Sequence, residues 1–247
     1  MTCAHSTHNS HPPHTLHYTH NAHPPHTLQI FCRLDPNRRV FDKSQPEGFN
    51  YPMKIAVQPD GSDIKIGTSR KFSAKARSSY SNKTGTQAAR AITWSTCIGL
   101  VLLTTSLYCV RCSEKELVRI HQSWLHIFPK GFGRLVDRGF THCTQFYKWL
   151  LRAFMPAFVN TETGDITHRQ VLDARLQSSQ RYVCEVVFSR VKLFRILTGV
   201  CPVNKLQYLN SAWHVAHMVA NLYAPLVKSD TMHEWENDKL ESAFLSR

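Results

Sequence analysis

The chain is short of acid. Its 247 residues carry 17 Asp and Glu against 30 Lys and Arg, for a formal net charge of +13 and a pI near 9.6. That imbalance argues against a cationic partner and favours a polyanion, nucleic acid first and an acidic membrane surface second. No secretory signal opens the sequence. The eight cysteines, Cys3, Cys32, Cys97, Cys109, Cys112, Cys143, Cys184 and Cys201, share no repeated spacing, which excludes the disulfide framework of a small secreted domain. Reduced thiols in a nuclear or cytosolic setting are expected. The one C-x-x-C, Cys109 to Cys112, lacks a second pair at zinc-finger spacing, so no structural zinc site is expected there. The length allows one sizeable domain with tails.

What is present begins with a low-complexity tract. His5, His8, His11, His14, His17, His20, His23 and His26 fall at every third position, and THNSHPPHTL (7–16) returns as THNAHPPHTL (19–28). Paired prolines and almost no apolar content prevent this tract from burying a core, so residues 1–30 read as a disordered or polyproline II tail that could hold borderline metals loosely. Residues 31–52 are polar with scattered Pro and read as a linker. In 53–66 two strand-like runs, Lys54–Val57 and Ile64–Ile66, flank a D-G turn signal, and a hairpin is the simplest local expectation. Residues 72–90 contain no acid and are basic; a phosphate-contacting surface and a solvated loop are both open readings. Ala91–Val110 is twenty residues without a charge, which meets the length test for a membrane helix. Its hydroxyls, Gly99 and many β-branched residues instead favour two strands meeting near Ser95–Gly99.

The most ordered stretch is Arg181–Leu197, RYVCEVVFSRVKLFRIL, with no Pro or Gly. Val183, Val187, Val191 and Phe194 make one apolar helical face, which predicts burial. Arg181, Glu185, Ser189 and Lys192 line another face, where one carboxylate sits between two cations. A solvated strip of helical ion pairs is one reading; a carboxylate that holds a metal while its neighbours hold phosphates is the other. Earlier, Leu135 and Val136 form a brief strand with Asp137 at its end, a usual place for a cap or turn residue, and Gly139 lets the chain turn into a helix near 144–151. FMPAF (154–158) fits a strand. A helix beginning near Thr167, with a break near Ser178, then carries Glu185, and Lys205–Tyr223 forms a last amphipathic helix burying Leu206, Leu209, Trp213, Ala216, Ala220 and Tyr223. Its His214 and His217 read as core or surface residues and not ligands.

The pattern R-x-x-x-E-x-x-x-x-R-x-K-x-F-x-I-L, here Arg181, Glu185, Arg190, Lys192, Phe194, Ile196 and Leu197, resembles the last catalytic segment of the DDE superfamily endonucleases, the transposases of the PIF/Harbinger type. D-R-G-F at 137–140 resembles the family's second acid motif, and Asp60, Gly61, Ser62, Asp63 and Ile64 its first, with Pro59 in place of an aliphatic residue. Tyr80, Ser81 and Asn82 resemble its Y-S-N motif; VRCSEKEL resembles G-G-R-x-S-D-K-x-L, with Glu114 for Asp. Over residues 53–227 the resemblance implies an α/β, ribonuclease H-like mixed sheet flanked by helices, followed by a polar tail from 228 to 247. It also implies Asp60, Asp137 and Glu185 as catalytic acids and ligands of a divalent cation, Mg²⁺ or Mn²⁺, with Asp63 as an alternative to Asp60. Arg138, Arg181, Arg190 and Lys192 are the expected phosphate contacts. The implied reaction is DNA strand cleavage and strand transfer in the nucleus, with DNA as partner, no small-molecule cofactor, and homo-oligomerisation left open. The family's helix-turn-helix has no counterpart before residue 53, which suggests a truncated or decayed element. The alternatives are an inactive transposon-derived DNA-binding protein and a single-pass membrane protein through 91–110.

Overall fold

The computed structural model describes residues 54–68, 79–128, 130–141, 143, 152–155, 167–223 and 226. The histidine tract, the linker, the helix expected over 144–151 and the tail from 228 lie outside the described residues.

A mixed sheet forms the centre. Its strands are β1 (Ile55–Lys65), β2 (Tyr80–Ser81), β3 (Thr86–Ser95), β4 (Val101–Thr104), β5 (Tyr108–Cys109), β6 (Gly133–Leu135) and β7 (Arg152–Phe154). β3 runs antiparallel to β1, while β6 lies parallel to β1 on its other side and β7 parallel to β6; β2, β5 and β4 pair successively along the outer edge of β3. The helices are α1 (Glu114–Ile120), α2 (His168–Val191), α3 (Arg195–Thr198) and α4 (Leu206–Ala220). This order, with two parallel strands beside an antiparallel meander and helices on both faces, is the ribonuclease H-like arrangement the sequence implies.

β1 is one continuous strand, so the D-G pair does not turn the chain into a hairpin. The reason lies in the direction of one missing N–H. Ile66 N–H donates to Gln87 O on the β3 side at 2.9 Å, so strand alternation points even-numbered N–H groups at β3 and odd-numbered ones away. Pro59 therefore presents its nitrogen toward β6, whose pairing with β1 ends at Val57. A proline there breaks no ladder bond.

Alternation also sorts the core into two compartments. Val57, Ile92 and Trp94 face α1, Leu125 and Phe140 on one side; Ile64, Ala89 and Ala91 face Phe188, Val191, Leu209 and Trp213 of α2 and α4 on the other. The apolar face expected of α2 is buried at Val183, Val187 and Val191. The helix opens on a capping box in which Thr167 and Gln170 satisfy each other's backbone N–H, and it runs through Ser178 without a break. β7 begins at Arg152, two residues before the expected strand, and residues 156–158 lie outside the described residues.

Ala91–Val110 is strand, turn and strand, turning at Gly99 with φ +90°. No helix among the described residues is long and apolar enough to cross a membrane. α4 buries Leu209, Trp213, Ala216 and Ala220 as expected, while Tyr223 is exposed. His214 and His217 are both core residues. His217 Nδ1–H donates to Trp213 O at 2.8 Å because a carbonyl can only accept. Its Nε2 is thus the acceptor, 3.0 Å from Thr93 Oγ1, and Thr93 and Trp213 Nε1 both bond Thr104 Oγ1. Burial holds the imidazole neutral, pushing its pKa down to about 3.

Candidate active site

Asp60 leaves β1 on the α2 side, opposite Thr93. Two residues earlier Gln58 receives the thiol of Cys184 at 3.2 Å, so α2 runs along β1 and delivers Arg181, one turn before Cys184, to the next position on that face. Arg181 Nη2 lies 3.3 Å from Asp60 Oδ1 and 3.7 Å from Asp137 Oδ2. The two aspartates, 77 positions apart in sequence, thus share one guanidinium nitrogen. Asp60 Oδ1 also accepts from Gly61 N–H at 2.9 Å. Burial raises the Asp60 carboxyl to about 6 despite the nearby Arg181 charge.

Asp137 follows β6, where Gly139 N–H donates to its Oδ1 at 2.7 Å in a single 3₁₀ turn, Arg138–Phe140. It is a capping residue, as its place at a strand end suggests, and at the same time a neighbour of Asp60 through Arg181. Asp63 takes no part in this pairing. Three residues beyond Asp60, it points to the opposite face of the strand, where its carboxylate holds Arg90 at 2.7 and 3.1 Å. That placement leaves Asp60 as the acid directed at Arg181.

Glu185 sits one turn after Arg181 on α2, exposed, in electrostatic range of Asp60 and Lys192. The helical strip is therefore not a ladder of internal ion pairs: Arg181 turns inward to the aspartates, and Glu185 remains in solvent. Lys192, half-buried over the Phe188 ring, has its pKa lowered by burial. Arg190 lies 5.9 Å from the Tyr223 ring centroid, and Arg138 is exposed beside Asp137.

One acid was not foreseen. Glu114, at the start of α1, extends its carboxylate between Gly61 and Gly139, where a Cβ on Gly139 would lie 2.5 Å from Glu114 Oε2 and 2.9 Å from Asp137 Oδ1. Burial, reinforced by Asp137, raises Glu114 to about 7. Its place in VRCSEKEL was the sequence signal, but the contact depends on two glycines 53 and 25 positions away.

The donor chemistry suits a hard divalent cation: carboxylate oxygens converge from β1 and the end of β6, and a positive group already lies between them. Among the described residues no group of three or more His, Cys, Asp and Glu is gathered tightly enough to hold a metal as it stands. None of the six described cysteines, Cys109 and Cys112 included, is in a disulfide.

The sequence of residues 59–221 matches the family described as DDE superfamily endonuclease, and the chain belongs to that family. Its endonucleases generally use divalent metals. A chain from the crystal structure of a pre-cleavage Mos1 transpososome is similar at 12% identity and a TM-score of 0.23, covering 80% of this chain; this chain spans 63% of that one. No curated protein matches the sequence.

Proposed function

We propose that this chain is a divalent-metal-dependent DNA endonuclease of transposase origin that cuts phosphodiesters and transfers the resulting strand, working in the nucleus. The observation that carries the reading is the convergence of Asp60 and Asp137 on one cationic nitrogen, inside the span that matches the endonuclease family. Asp60, Asp137 and Glu185 would hold the cation. Bound there, Mg²⁺ would supply Lewis-acid polarisation of the phosphoryl oxygen and an activated water. The protein's own part is positioning. Arg181 holds the two aspartates together in the absence of substrate, and Arg138, Arg190 and Lys192 offer positive charge around them for the DNA backbone.

A second reading, a DNA-binding protein without catalysis, draws on the same geometry: Arg181 occupies the space between the aspartates, and Glu185 stands apart. Nicking of supercoiled plasmid by the full chain separates the two. Nicking that requires Mg²⁺ and is lost in Asp137→Asn and Glu185→Gln supports the endonuclease. Salt-dependent DNA binding with no Mg²⁺-dependent nicking overturns it in favour of the second reading. Mg²⁺ is the ion of choice because the histidine tract would compete for softer metals.

A further inference from the structure

On the α1 side of the sheet, along the outer edge of β3, lies a cleft of about 320 Å³ whose walls include Ser81, Asn82, Lys83, Arg90, Val110 and Arg111. Among the described residues no carboxylate lines it. The acid nearest in the fold, Asp63, is only 5% exposed and spends both oxygens on Arg90, while Ser81 Oγ donates to the same carboxylate at 3.0 Å. That ion pair fixes the Arg90 guanidinium through Nε and Nη2. Lys83 and Arg111 are exposed, and neither forms an ion pair among the described residues. Three cations and two small polar side chains around a space at the lower end of ligand-site volumes match a compact anion.

Position narrows the anion further. Asp63, which holds Arg90, stands three residues beyond Asp60 on β1, and the Glu114 carboxylate that rests against Gly61 lies within electrostatic reach of Lys83 and Arg90. The cleft thus neighbours β1, the strand that carries Asp60. We infer that the cleft formed by Lys83, Arg90 and Arg111 seats a phosphodiester of the DNA strand that is presented to Asp60 and Asp137. This inference rests on the endonuclease reading. The cleft would fix the register of the strand, since phosphate contacts position a nucleic acid without reading its sequence.

The test is the salt dependence of duplex DNA binding by the full chain. The Lys83→Gln/Arg111→Gln double variant removes two exposed cations from the cleft, and Arg195→Gln/Lys205→Gln removes two exposed cations elsewhere. The first is expected to flatten the slope of log K against log salt by about 1, because one phosphate is no longer neutralised, and the second to leave it near wild type. Equal slopes in the two variants, in a protein that still binds and nicks DNA, overturn the cleft and leave the endonuclease reading standing. A wild-type chain that binds no DNA overturns both. Calorimetric binding of inorganic phosphate that disappears in the cleft variant, with its DNA slope unchanged, would assign the cleft to free phosphate and also overturn the inference.

Discussion

Replacing Gly61 by Ala tests the packing on which the acid cluster depends. Gly61 lies in the middle of β1 and outside the left-handed region, so its backbone accepts alanine. On conformational grounds alone the change stabilises a strand by about 0.5–1 kcal/mol. The new methyl, however, would collide with Glu114 Oε1 and stand 3.0 Å from Cδ and 3.1 Å from Cγ. Forcing an extra carbon into a filled site costs roughly 1–3 kcal/mol, and the lower part of that range applies because the obstacle is the end of a flexible side chain. The two effects oppose, and the clash wins narrowly in the wild-type background. In Glu114→Ala the obstacle is gone and only the gain remains, so Gly61→Ala changes sign and becomes stabilising. Urea unfolding of the four proteins of this cycle at pH 7 measures the coupling, expected at about 1–1.5 kcal/mol. An identical shift of midpoint in both backgrounds would refute the idea that Glu114 fills the space over Gly61.

Two further outcomes concern the core. His217 has a folded pKa near 3 because it is buried, below its ordinary 6.5, so its contribution is complete above pH 6.5 and is lost as pH falls from there toward the folded value. The destabilisation caused by His217→Gln should therefore be roughly 2 kcal/mol larger at pH 8 than at pH 5, at about 1.4 kcal/mol per pH unit; comparing wild type and variant at each pH cancels the opposite contributions of Asp60 and Glu114, and a constant gap would contradict a neutral His217. Asn221 accepts from Val101 N–H at 2.9 Å and donates to Val101 O at 2.8 Å, fastening the start of β4 to the end of α4. Asn221→Ala should cost about 1–3 kcal/mol in denaturant titration, and an unchanged midpoint would mean that water replaces both bonds at no cost.

Much of this architecture was legible because it is local. The four-residue recurrence of Val183, Val187 and Val191 defines the buried face of α2, and Thr167 marks its start. The hydroxyl-rich run at 91–110 reads as paired strands because Gly99 supplies the turn. The motifs at Asp60 and Asp137 come together in the fold, but the partner they share does not follow from their spacing. Arg181 looked like a neighbour of Glu185 on a helix, and only the packing of Cys184 on Gln58 turns it toward β1. The continuity of β1 through Pro59 was illegible for a similar reason: whether a proline interrupts a ladder depends on where the neighbouring strand ends. Glu114 became visible only when Gly61 of β1 and Gly139 of the 3₁₀ turn after β6 approached it.

The two-sided character of β1 bears on how this domain tolerates change. Asp60 serves the α2 side and Asp63 the α1 side, with Gly61 making room for Glu114 between them. A substitution at any of these positions disturbs one side of the sheet. Deleting or inserting a single residue between Val57 and Asp60 would exchange the sides altogether, carrying Asp60 toward α1 and Gly61 toward α2. Descendants of this sequence can therefore drift in composition along β1, while its length in this interval stays fixed for as long as either the aspartate pair or the Arg90 anchor is under selection.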